Sequence, residues 1–225
     1  MYLVVDLETT CKERYKRKGN PFYNNILCYG FKYQNKEAFG KPSDNVPEGW
    51  LNGVTDLIGH NIKYDLLYLW RNRELQEAFK RGLNIWDTQL AEYILSGQQH
   101  KYPALRDIAV NKYGCKERVK HIEQGFKNGL LDTSEIPMPL LLEDVTNDVI
   151  DTEVIALEQL RKSKENGMYN LIKSQMNSLL ATTEMEYNGM FINKSILKNR
   201  ETEIKNQLEI LYSELNQITG KYWND

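Results

Sequence analysis

The sequence predicts an α/β fold: a mixed β-sheet flanked by helices, followed by a helical C-terminal extension. Three features predict it. Leu3-Val4-Val5 is an apolar run suited to a central, fully buried strand. Strand-like and helix-like periodicities then intersperse over residues 1–165, the pattern of a sheet with helices on its faces. Residues 166–225 carry helical periodicity around one short extended piece.

The first strand ends in Asp6 and Glu8. Strand side chains alternate, so acids at i and i+2 share a face and repel each other unless a cation or donors sit between them. An isolated pair of this kind is ordinarily a solvated strand end. A basic run follows, Lys12, Arg14, Lys16, Arg17 and Lys18, read as a loop that either faces solvent or contacts a phosphate backbone. Ile26–Tyr33 is the second strand, and Lys36–Phe39 a short third. The stretch from Pro42 to Trp50 is a loop. Val54–Gly59 leads into Gly59-His60-Asn61, with Asn61 as the N-cap of one amphipathic helix over Ile62–Phe79 that carries Asp65 on its first turn.

Leu83–Trp86 reads as a short strand, and Asp87-Thr88 as the start of a helix running to Leu95. Pro103 opens another helix, stopped by Gly114. Lys116–Pro139, with two glycines and two prolines, reads as irregular connection. A strong helix follows from Leu141 to about Lys164, with Asp144 and Asp148 four residues apart and facing the same way. His60 reads as a structural member of its turn, and His100 and His121 as surface residues. Beyond Gly167 a further helix covers Tyr169–Tyr187, and Asn193 caps a long one. The apolar positions of that last helix, Ile204, Leu208, Leu211, Leu215 and Ile218, form a coiled-coil-like seam that it cannot bury alone. The chain is expected either to continue or to pair through this helix. The domain expectation is 1–165 and 166–225.

Composition excludes several classes. At 225 residues with 41% apolar content the chain can bury a proper core. It has no apolar stretch of membrane-spanning length and opens directly on a strand, with no signal segment. Cys11, Cys28 and Cys115 are scattered and odd in number, which suits a reducing cytoplasmic interior and argues against a disulfide framework or zinc site. A net charge of −2 advertises no global field for nucleic acid.

The ordered acids Asp6-x-Glu8, Asn61-x-x-x-Asp65 and Asp148, with Gly59-His60-Asn61 before the second motif, resemble the DEDD family of 3′→5′ exonucleases. The resemblance implies a ribonuclease H-like fold. The segment Met185-Glu186-Tyr187-Asn188-Gly189-Met190-Phe191-Ile192-Asn193 is similar to the place where family A DNA polymerases leave their proofreading domain, and the helix after it to the start of their thumb. It further implies two Mg²⁺ or Mn²⁺ ions, with Asp6 bridging both, Glu8 and Asp148 completing the first and Asp65 holding the second largely through water. Paired cations suit phosphodiester hydrolysis because they clamp both the attacking and the leaving oxygen. The implied substrate is DNA with a single-stranded 3′ end, touched by Leu7, Thr9, Asn61 and Tyr64, and the implied partner a polymerase domain in the same or a separate chain. The alternatives are an RNA 3′-exonuclease of ribonuclease D type and a slow or silent domain that binds single strands or supports a polymerase. The pattern departs from the family at one place. A tyrosine is expected four residues before the last acid, or a histidine five before; Asp144 and Glu143 stand there instead. Asp144 is then either the candidate base, because a carboxylate can accept a proton from water, or a surface acid beside a water that metal alone activates.

Overall fold

The structure is a computed structural model and describes residues 1–11, 21–99 and 103–220. The basic run after the first strand and His100 lie outside the described residues.

Five strands, β1 (Tyr2–Thr9), β2 (Ile26–Tyr33), β3 (Phe39–Pro42), β4 (Asp56–Gly59) and β5 (Asn84–Asp87), form one sheet in the order β3-β2-β1-β4-β5. β1 pairs antiparallel with β2 and parallel with β4, so the sheet is mixed about its central strand. Leu3, Val4, Val5 and Leu7 are buried, as a strand covered on both faces requires. β1 does not stop at its acids: Asp6 stands opposite Gly30 and Glu8 opposite Cys28. β3 begins at Phe39, later than the sequence suggests, because a turn closes between Tyr33 and the Lys36 amide (3.0 Å) with Asn35 at φ +61°. Pro42 ends β3, an edge strand, where a missing donor costs nothing.

The helices are α1 (Lys63–Leu69), α2 (Arg73–Lys80), α3 (Thr88–Leu95), α4 (Leu105–Tyr113), α5 (His121–Lys127), α6 (Met138–Glu165), α7 (Tyr169–Asn188) and α8 (Lys194–Thr219). Three sequence expectations are corrected. The helix over Ile62–Phe79 is two, because the Asn72 side chain accepts from the Leu75 amide and starts a second one. Asn61 does not cap α1: Ile62 holds that place without a side-chain bond, and Asn61 lies at φ +54°, a left-handed conformation that asparagine tolerates. The supposedly irregular connection contains α5 and a 3₁₀ turn over Thr133–Glu135, whose capping box pairs Asp132 and Glu135.

Met1–Tyr187 is one compact unit, so α7 belongs with the sheet, its Ile172 and Met176 buried in the main core. Contacts therefore divide the chain at 187/188, where the sequence suggests 165/166. The second unit, Asn188–Asp225, contains α8, capped by Asn193 and burying none of its residues. Among the described residues no helix is long and apolar enough to cross a membrane.

Candidate active site

Helix α6 packs across β1, β2 and β3. Two glycines let it approach. A Cβ at Gly30 would meet the Val145 carbonyl oxygen at 2.6 Å, and one at Gly40 would meet the Leu142 carbonyl oxygen at 2.9 Å. Because Gly30 is the β2 partner of Asp6, this contact brings α6 over the acidic part of β1. Asp148 then joins Asp6 and Glu8, and each offers a carboxylate oxygen within 4.8 Å of the other two.

These carboxyls hold their protons unusually well. Withdrawal from water, then the charge of Asp148, pushes Asp6 up to about 8. Burial followed by the Asp6 and Asp148 charges lifts Glu8 well above the carboxylate range. Asp148 is raised by burial against the opposing pull of Lys120, whose ammonium bonds its Oδ1. Among the described residues these three crowded carboxylates face one ammonium, a set of hard oxygen donors short of positive charge, which suits a Mg²⁺ or Mn²⁺ ion.

Asp65 stands apart from this trio. It is buried on α1 and its Oδ1 accepts from the Leu7 amide at 3.0 Å. Burial and then the Asp6 charge raise its pKa, so it feels the cluster electrostatically. Asp144 is also buried, with Oδ1 2.8 Å from His121 Nδ1 and Oδ2 accepting from the Ile122 amide at 3.1 Å. Both oxygens are committed to the start of α5. His121 is accordingly no surface residue: its side chain retains 17% exposure and rests on Asp144.

Beside the trio lies a cleft of about 660 Å³. Leu7, Glu8, Thr9, Asn61 and Tyr64 line one part, and Ile122, Phe126 and Lys127 of α5 another. Thr9 Oγ1 and the Tyr64 hydroxyl are 2.5 Å apart, which fixes the tyrosine ring. Asp87 accepts from the amides of Gln89, Leu90 and Asn61, at 2.8, 3.2 and 3.1 Å. It caps α3 and holds the turn carrying Asn61, the structural part its sequence context suggests. His60 is structural too, between the Thr88 hydroxyl (2.9 Å) and the Pro103 carbonyl (3.2 Å).

The part of the site missing from the sequence reading is α5 with Lys120 before it. The Asp132-x-x-Glu135 capping box was a usable sign that this stretch is ordered. Nothing local marks Lys120 or His121.

No family model and no curated protein matches the chain. Solved structures do. NrnC of Brucella melitensis with bound Mg²⁺ is similar over 84% of this chain and 86% of its own, with a TM-score of 0.60 at 14% identity. NrnC bound to pGG is similar over 84% and 85%, at 0.59 and 13%. The POL domain of Pol1 from M. smegmatis, in complex with DNA primer-template and dNTP, is similar over 99% of this chain, with a TM-score of 0.69 at 15% identity. This chain spans 35% of that one. The fold is ribonuclease H-like, a mixed five-stranded sheet flanked by helices.

Proposed function

We propose that this chain is a metal-dependent 3′→5′ exonuclease that removes nucleotides from DNA 3′ ends, as the editing part of a family A-type polymerase. The observation that carries it is the convergence of Asp6, Glu8 and Asp148, from a strand and a helix far apart in sequence, within 4.8 Å of one another. The likeness to Mg²⁺-bound NrnC supports the metal. In this reading Asp6, Glu8 and Asp148 hold one divalent ion, and Asp6 with Asp65 a second. Bound ions would stabilise the negative charge that builds on the phosphate and on the leaving 3′ oxygen.

The protein's own groups bind and orient the strand. The terminal nucleotide enters the cleft past Leu7, Thr9, Asn61 and Tyr64, with Phe126 across from them as an aromatic surface suited to stacking without sequence preference. Lys127 lines the same cleft and suits a backbone phosphate. Asp144, with both oxygens engaged, holds α5 in place and is not assigned the proton.

Residues 1–165 form the exonuclease part in this proposal and 166–225 the start of a thumb-like region, with α7 docked on the former. The Pol1 likeness extends over α8 and supports a polymerase partner, in the same chain or a separate one. The likeness to pGG-bound NrnC favours a second reading, RNA 3′ ends as substrate.

End-labelled single-stranded DNA and RNA, incubated with Mg²⁺ or Mn²⁺, test both. Shortening of DNA from its 3′ end, abolished by Asp6→Ala, is the expected result. Shortening of RNA alone selects the second reading. Binding without cleavage overturns both and leaves a single-strand-binding module.

A further inference from the structure

The segment from Arg118 to Ile122 runs along the acidic face of α6. Arg118 Nη1 donates to Asp151 Oδ1 at 2.5 Å and to the Asn147 carbonyl at 3.5 Å. The Lys120 ammonium donates to Asp148 Oδ1. His121 Nδ1 and the Ile122 amide hold the two oxygens of Asp144. Asp144, Asp148 and Asp151 follow in steps of four and three, so they share one helical face. The segment lies on that face in opposite order, 118 on 151, 120 on 148, 121 and 122 on 144. It is fastened above and below the lysine, and neither fastening uses a carboxylate assigned to metal.

A lysine free to wander gains little from one carboxylate, because it must give up side-chain freedom. Lys120 starts from an anchored backbone, so much of that cost is already met by its neighbours. Its side chain retains 19% exposure and that of Asp148 16%, so water screens the pair weakly. The ammonium therefore stands in the electrostatic role that a divalent ion would take.

We propose that Lys120 is a tethered counter-ion of this centre, which neutralises Asp148 until a divalent ion displaces it and so sets the metal concentration at which the site loads. The inference rests on the proposed metal-dependent reading. Two cations compete for one carboxylate, so breaking the ion pair subtracts from metal affinity, and removing the lysine returns that affinity.

Calorimetric titration of Mn²⁺ into the full chain, without nucleic acid, tests it. Lys120→Met should bind Mn²⁺ about tenfold tighter than wild type, because the ion no longer has to displace a weakly screened ion pair. Lys120→Arg keeps the charge and should stay within about twofold of wild type. Without metal Lys120→Met should melt lower than wild type, and Mn²⁺ should close the gap. Should Lys120→Met fail to fold without metal, Arg118→Gln loosens one fastening, keeps the lysine, and should tighten Mn²⁺ binding by about two- to threefold. Equal or weaker binding by a folded Lys120→Met, or by Arg118→Gln in its place, overturns the proposal while the metal site stands. No Mn²⁺ uptake by wild type removes the metal-dependent reading itself, and this inference with it.

Discussion

Two acidic sites contact α6, and they answer burial in opposite ways. Glu92 is almost fully buried, yet its carboxyl is an easier acid than usual. Burial would raise it, but bonds from Lys112, from Gln159 Nε2 (2.9 Å) and from the Tyr113 hydroxyl (2.8 Å) outweigh that. The Gln159 amide oxygen in turn accepts from Trp86 Nε1 at 3.2 Å. Every polar group there has a partner, and one carboxylate faces one ammonium. About three turns earlier on α6, Asp6, Glu8 and Asp148 face a single ammonium among the described residues, so within this set three charges less one leave two uncompensated when all are ionised. Burial first, and then the Asp148 charge, pushes Asp6 up to about 8, with too few donors there to offset them. Burial alone does not separate a structural acid from a functional one. The supply of donors does.

The sharpest break in this comparison comes from removing one charge on the deficient side. Asp6→Asn should lower hydrolysis of single-stranded DNA by about a thousandfold, since a metal centre supplies several kcal/mol of transition-state stabilisation. The same change relieves repulsion, so the melting temperature without metal should hold or rise. A large fall in that temperature would show that Asp6 is a structural acid like Glu92.

The satisfied side should instead show itself in stability and its pH dependence. His60 belongs to it, because the Thr88 whose hydroxyl it contacts gives its backbone carbonyl to Gln159 at 2.9 Å. The Pro103 carbonyl can only accept, so in the neutral ring Nε2 carries the hydrogen and Nδ1 is left as an acceptor facing the Thr88 hydroxyl, which also donates towards the Gly59 carbonyl at 3.3 Å. Burial, the largest cause, lowers His60 from 6.5 to about 4. An unfolded chain protonates this ring near pH 6.5, and the folded one only near 4. The neutral ring's stability is therefore complete above 6.5 and lost as pH falls towards 4. Between pH 7 and 4.5 the wild type should lose about 2.5 kcal/mol more than His60→Asn in urea unfolding. Parallel losses would refute the assignment.

Glu92→Ala should cost about 2 kcal/mol, through the donors of Gln159 and Tyr113 left without their acceptor. The protein that remains folded should keep its rate per molecule. Loss of rate without loss of stability would reverse the comparison.

These regions also differ in what the sequence discloses. Asp6 and Glu8 are legible because i and i+2 on a strand share a face, and Asp87 because an acid before Thr88 is ordinary capping chemistry. The i, i+4 spacing of Asp144 and Asp148 places both on one helical face. The function of Asp144 is not legible, because its partners, His121 and Ile122, lie more than twenty residues away. A seven-residue helix such as α5 has little stability of its own and forms through such tertiary partners. The break at Asn72 leaves a local mark that a single-helix reading passes over: Leu75, Ala78 and Phe79 fall about half a turn out of phase with Ile62, Leu66 and Leu69. Asn61 carries the right letter for a cap, but its backbone is left-handed, which local composition does not reveal.

Tyr64 stands between the two behaviours and gives the smallest expected effect. Its ring lines the cleft, while its hydroxyl lies 2.5 Å from Thr9 and 3.4 Å from the Tyr68 hydroxyl. Burial raises its pKa, so it acts as a neutral hydrogen-bonding group throughout the working range. Tyr64→Phe keeps the aromatic face and removes the bond, at about 1 kcal/mol of stability. If the ring meets the terminal base, kcat should be unchanged and KM for DNA should rise about threefold as Thr9 and the ring loosen. Tyr64→Ala should raise KM by a further tenfold or so, the value of one base–aromatic stack. Equal KM values for the two variants would assign the ring to packing alone, and leave the cleft's recognition of a strand to Phe126 and its neighbours on α5.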